Sequence, residues 1–273
     1  MAAIPFIRES GPKEHPTFHC SACGKCCSHI RGMISDNEQE FLKEYAYGKM
    51  PIVQLIPIEK MSFPLWDWEA RRMITWAQER GIEHRIMPSR AILDLDSDAA
   101  IIVTYSIDSD ACTFLASDGK CRIYGEKRAY ICRLFPFNKT PFLSTEETPD
   151  PKEYFGSCSA MKTVLPHIPQ GSKEQISFFA KAFPDGSFHN AVQHDHIIEW
   201  VNKTVISLMK ERRLRPAMNY PYALLMRRIG DAKAIDFTEF LVESGHSSRE
   251  ERDNLIKAFD ANSHAEEKIA QYL

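Results

Sequence analysis

Four of the eight cysteines in this 273-residue chain fall within eight residues, Cys20-Ser21-Ala22-Cys23-Gly24-Lys25-Cys26-Cys27. The spacing is C-x2-C-x2-C-C. Thiolates set this close are the usual way a chain collects a soft or borderline metal, because each sulfur is a strong donor and the short loops converge on one point. Packing alone does not call for such crowding. The other four, Cys112, Cys121, Cys132 and Cys158, nearly complete two sets of four. All eight are candidate metal ligands.

Cys20, Cys23 and Cys26 reproduce the C-x2-C-x2-C run that holds three irons of a cubane cluster. Ile30 stands where the next ligand of that run would fall, so a fourth ligand must come from Cys27 or from a distant cysteine. Zinc would accept two x2 pairs and needs four ligands in a tetrahedron. Spacing does not separate the two metals. Cys26 and Cys27 are adjacent and point different ways in most backbone conformations. They therefore serve two metals, or one of them is a non-ligating thiol. Gly24 permits positive φ inside the loop and lets backbone N–H groups turn toward sulfur. Lys25, His19 and His29 read as exposed polar side chains.

In the second set, Cys112-Thr113-Phe114-Leu115 and Cys121-Arg122-Ile123-Tyr124 put each cysteine at the edge of an apolar patch. Cys132 lies in Arg128-Ala129-Tyr130-Ile131-Cys132-Arg133-Leu134-Phe135-Pro136-Phe137. Arginines beside cysteines favour the thiolate and balance the charge of an anionic cluster.

The balance of the composition bounds the function. Net charge is −3, so there is no electrostatic footprint for nucleic acid or an anionic membrane. The most basic run, Lys210 to Arg215, reads as the solvated end of a helix. No stretch approaches the roughly 20 apolar residues of a membrane span, and Met1 to Arg8 lacks the apolar core of a signal peptide. The expectation is a cytoplasmic protein. In a reducing compartment a cysteine cluster points to metal rather than to disulfides.

There is no GxGxxG after a strand, no Walker A loop, no His-Glu-x-x-His and no Gly-x-Ser-x-Gly, so no organic cofactor or catalytic residue is assigned. His189, His194 and His196, near Asp195, read as a solvated polar face. Asp94, Asp96, Asp98, Asp108 and Asp110 read as turn and strand-edge carboxylates. Trp66, Trp68, Phe178 and Phe179 read as core anchors.

The elements that must position the cysteines follow from periodicity. Ser35 to Glu38 reads as a capping box opening a helix to about Tyr47, with Phe41, Leu42 and Tyr45 on one face. A second helix spans Trp66 to Arg80, capped by Gly81. Residues 91–95 and 100–105 flank Asp96-Ser97-Asp98 as a hairpin that leads to Cys112. The turn Ser117 to Lys120 leads to Cys121, and a short helix from about Gly125 carries Cys132. Pro166, Pro169 and Gly171 form a candidate linker. Helices are expected at about 173–183, 188–213, 221–229, 236–244 and 248–272. The expected architecture is α+β and mostly helical: a small cysteine-cluster domain with a β-hairpin at 17–160, then an all-helical extension at 165–273.

The order C-x2-C-G-x-C-C, C-x-F-L, C-x-I-Y and Arg-x-x-x-C-R-x-F-P-F resembles the CxxCxxCC (YkgJ-like) zinc- or iron-chelating cysteine-cluster family, over roughly residues 17–160. Ala129 stands where the family usually has proline after the arginine, which removes a turn constraint but no ligand. Cys158 is similar to a late cysteine of many members. A flagellin lysine methylase shares the pattern, so the resemblance admits a protein-modifying enzyme. What it implies most directly is metal binding. The reading favoured from the residues is an iron–sulfur cluster, held by Cys20, Cys23, Cys26 and one more cysteine, that exchanges electrons with a protein or redox partner. Structural zinc is the alternative.

Overall fold

The computed structural model describes residues 16–32, 34, 36–125, 128–143 and 154–273. In chain order, a one-turn helix α1 (Lys25–Ser28) and α2 (Asp36–Tyr45) lead to the short strands β1 (Val53–Gln54) and β2 (Leu65–Trp66). Helix α3 (Asp67–Glu79) follows, then the long strands β3 (Ile86–Asp94) and β4 (Ala99–Ile107), and the one-turn helix α4 (Tyr130–Arg133). Next come α5 (Ser172–Ala182), α6 (Ser187–Lys210), α7 (Tyr222–Asp231), strand β5 (Lys233–Asp236), α8 (Phe237–Glu243), α9 (Arg249–Asp260) and α10 (Ser263–Ala270). The class is α+β and mostly helical, as expected.

The β3–β4 hairpin is the middle of the sheet. Its apolar runs, Ala91-Ile92-Leu93 and Ala99 to Val103, are buried on both faces, which is why they read as continuous rather than alternating. β1 pairs with β3, and the far edge of β4 is shared. β2 runs antiparallel along residues 104–105, and β5 runs parallel along residues 99–102. Strand β5 corrects the expected all-helical extension: the C-terminal part is helical except for four residues that complete the sheet. Its short Lys-Ala-Ile-Asp sequence carries too little periodicity to reveal a strand.

The core is continuous across the middle of the chain. One face of the sheet, with Trp66, Trp68 and Tyr130, packs against Ile197, Val201 and Leu208 of α6 and Phe237 and Phe259 beyond it. The other face packs on Leu225 and Ile229 of α7. A third cluster gathers Phe137, Phe179, Phe183 and Phe188 around α5 and α6. Burying one such ring or branched side chain contributes about 1.5–3 kcal/mol. Helix α6, at 24 residues, is about 36 Å long and serves two of these clusters.

Three local expectations change. The C-terminal stretch 248–272 is two helices, not one: Asn262 adopts φ 57°, a left-handed turn that asparagine tolerates, and α10 folds back onto α6. Leu42 on α2 and Ala46 just after it face inward, while Phe41 and Tyr45 are outward and meet in a tilted contact with ring centroids 5.3 Å apart. The histidine face of α6 is not solvated: His194 is buried against Trp66 and Tyr130, and His196 stacks on His264 at 3.6 Å. The acidic residues are turn and edge carboxylates. Asp94 accepts from Ser97 and the Arg215 N–H, Asp96 pairs with Arg215, Asp98 with Arg228, and Asp108 and Asp110 with Arg31. Ser35 of the expected capping box, the lead-in before Pro16 and most of the loop at 138–153 lie outside the described residues.

Candidate metal centre

The N-terminal cysteines are delivered by a chain pinned at both ends. Phe18 is buried on Phe183, with ring centroids 5.1 Å apart, and its N–H donates to the Ala182 carbonyl at 2.7 Å. Beyond the cluster, the Ile30 N–H donates to Asp110 at 2.9 Å. Between these anchors Gly24 takes φ 73° and opens α1. A Cβ there would lie 2.1 Å from the Gly119 carbonyl oxygen. Only glycine lets the first cysteine loop lie directly on the Ser117–Lys120 turn.

Backbone hydrogen bonds then join the two cysteine sets. The Cys112 N–H donates to the Cys27 carbonyl at 2.8 Å, and Leu115 and Cys121 form an antiparallel bridge extended by the Arg122 N–H to Phe114. Cys112, Cys121 and Cys132 border the cluster built on Met73, Ile107, Phe114 and Ile123. Cys132 rides on α4. Fully buried Glu69, on α3, accepts from the Tyr130 N–H at 2.6 Å and the Trp66 N–H at 3.2 Å. The expected helix from about Gly125 is thus a single turn starting at Tyr130.

The sulfurs fall into two neighbouring groups. Cys26 and Cys27 sit 3.7 Å apart, sulfur to sulfur. A thiolate at Cys121 or Cys26 would oppose ionisation of nearby Cys112, and one at Cys112 or Cys121 would oppose that of Cys132. These five form the inner, half-buried group. Cys158 feels Cys20 and Cys23, which are exposed, and these three form the outer group. Cys23 and Cys26 link the two. All eight are free thiols. Among the described residues, no three Cys, His, Asp or Glu side chains stand in the geometry that would hold one metal ion. The thiols are gathered but not closed on a common point.

Electrostatics differ from thiol to thiol. Burial first, then neighbouring thiols, pushes Cys112 up to about 11. Cys132 is raised, by burial above all, and Cys158 is raised for the same leading reason. Cys26 is raised chiefly by its hydrogen bond with Cys27, and then by burial. Exposed Cys23 is held below the ordinary thiol value by the Lys25 N–H and the Ser21 side chain. Arg128 provides positive charge felt by both Cys26 and Cys132, and its guanidinium lies 4.3 Å from the Tyr124 ring centre. Tyr124 in turn reaches Cys20.

The donor set is all sulfur. That suits zinc, iron–sulfur clusters or other thiophilic metals and suits calcium or magnesium poorly. The residues present fit the group that the spacing implies. Sequence reasoning singled out Arg128 and Arg133 but not Glu69. A glutamate in the first turn of an amphipathic helix has only the ordinary signature of a helix start.

No curated protein and no solved structure matches the chain. Residues 19–150, which hold seven of the eight cysteines, match the model of the CxxCxxCC family, described as "Putative zinc- or iron-chelating domain".

Proposed function

We propose that the chain binds metal through its clustered thiolates, with an iron–sulfur cluster as the first reading, and that the bound centre exchanges electrons with a protein partner. The observation that carries metal binding is the gathering of eight free thiols from separate stretches of the chain. The inner thiols Cys26, Cys27, Cys112, Cys121 and Cys132 would hold one centre. Cys20, Cys23 and Cys158 would complete it or hold a second. When bound, such a cluster supplies one-electron transfer. The chain's own part is to bring the thiols together, to shield five of them among apolar side chains, and to set Arg128 where it offsets negative charge. That positive charge suits an anionic, thiolate-bound centre.

Structural zinc is the second reading. It is favoured by the hydrogen bond from Cys112 to Cys27, which already stitches the first loop to the hairpin and leaves a metal only the task of locking it. In either case raised thiols must lose protons to bind, so binding releases protons and weakens in acid.

Anaerobic purification followed by absorption spectroscopy and assays of iron, acid-labile sulfide and zinc separates the readings. A brown protein with matching iron and sulfide supports the cluster. A colourless protein with stoichiometric zinc overturns it in favour of zinc. A protein purified with no metal, and taking up none, contradicts both.

A further inference from the structure

We propose that Glu69 is the positioning residue of the cysteine site, fixing the helix that carries Cys132 against the body of the protein. This rests on the metal-binding reading above. The four-residue helix α4 is too short to hold itself together, and its first N–H groups have no partner within the helix. Glu69, 1% exposed, supplies the acceptor for the first of them, at Tyr130, from 61 residues away. Its other carboxylate oxygen takes the N–H of Trp66 at the start of α3. One carboxylate therefore joins the starts of two helices, where negative charge is favourable.

Burial pushes the Glu69 carboxyl up to about 7, and the Tyr130 and Trp66 N–H donors and then Arg133 and Arg72 oppose that rise only in part. Arg133 lies over the Tyr130 ring at 4.3 Å, and Arg72 is paired with Asp260 at 2.6 Å. Cys132 sits two residues beyond the N–H that Glu69 holds. Its place is therefore set from α3 and, through Arg72, from α9.

Asp67 provides the control. It is equally buried, lies two residues earlier in the same helix, and accepts from the N–H and hydroxyl of Thr238 in α8, away from the cysteines. A merely structural role for Glu69 would make the two residues alike.

The test compares wild type, Glu69→Gln, Glu69→Asp and Asp67→Asn as full-length, metal-loaded proteins. Thermal melting and the rate of metal release to excess EDTA are measured on each. Glutamine can accept from one N–H but turns its amide toward the other donor, and aspartate keeps the charge with one methylene less reach. We expect both Glu69 variants to release metal at least about tenfold faster, with a changed thiolate-to-metal absorption. Asp67→Asn should melt earlier yet release metal at the wild-type rate. If Glu69→Gln fails to fold, Glu69→Asp decides. Wild-type release rates and spectra in a folded Glu69 variant, or equal acceleration in Asp67→Asn, overturn the role of Glu69. A wild-type protein without metal overturns instead the reading on which it rests.

Discussion

Around the cysteines the helices are one turn long and α1 buries no residue, whereas α6 in the C-terminal half buries twelve. The two regions are held by different means. The helical half has phenylalanines, valines and leucines enough to stand on burial. The cysteine loops are anchored by a few buried side chains, among them Phe18, Ile30, Phe114 and Ile123, and are otherwise joined by single backbone hydrogen bonds, such as Cys112 to Cys27 and Arg122 to Phe114, and by one close glycine contact. Short loops of this kind gain little from propensity or packing. Crosslinking by metal would supply what single hydrogen bonds do not, and eight thiols are there to accept it. The contrast teaches that the two regions should fail separately.

The largest effect should come from stripping the metal. Chelation should expose the 16–32 and 108–133 segments to protease while α5 to α10 stay protected, because binding free energy at such a site is folding free energy. Limited proteolysis read by mass spectrometry checks this, and uniform cleavage across the chain would break the distinction.

The converse experiment is Phe179→Ala. Phe179 is 0% exposed and touches Phe137, Phe183 and Phe188. The loss should be about 3–5 kcal/mol in urea unfolding, with metal per folded chain unchanged. A fall in metal content matching the fall in stability would show that the regions are not separable in this way.

Gly24→Ala sharpens the same comparison from the other side. Its Cβ would meet the Gly119 oxygen, and its φ is positive. The strain should amount to about 1–3 kcal/mol, concentrated on the first cysteine loop. Metal occupancy should fall while the melting of the helical half is unchanged, as followed by far-ultraviolet circular dichroism.

The smallest effect is at the turn that joins the halves. Burial would raise the Asp94 carboxyl, but donors from Ser97, Arg215 and Asp96 outweigh it and hold it below the ordinary value. A depressed carboxylate contributes stability that is full above its unfolded value of about 3.8 and is lost as pH falls through the folded value. Asp94→Asn should therefore cost about 1–3 kcal/mol at pH 7. The gap to wild type should narrow below pH 4. A gap constant with pH would mean that Asp94 contributes as a shape rather than as a charge.

Much of this was legible in the residues, for local reasons. Helices α3, α5 and α6 announce themselves by apolar period, the β3–β4 hairpin by two apolar runs flanking a turn, and the cysteines by type and spacing. Local pattern fails where distant groups decide. Nothing near Lys233 shows that β4 has a free edge for β5 to join. Asn262 breaks a helix because α10 then covers Ala265 and Ile269 against the α5–α6 cluster. His194 turns inward because Trp66 and Tyr130 wait there. The grouping of the sulfurs depends on the Gly24–Gly119 contact and on Glu69 reaching Tyr130, and neither is written in the spacing of the cysteines.

The central claim is that sulfur alone holds the metal. X-ray absorption at the edge of the metal found in the purified protein tests it most directly. The account predicts a first shell of sulfur at about 2.3 Å, reduced in Cys26→Ser and Cys112→Ser. A shell of nitrogen or oxygen at about 2.0–2.1 Å, unchanged in those variants, would contradict it.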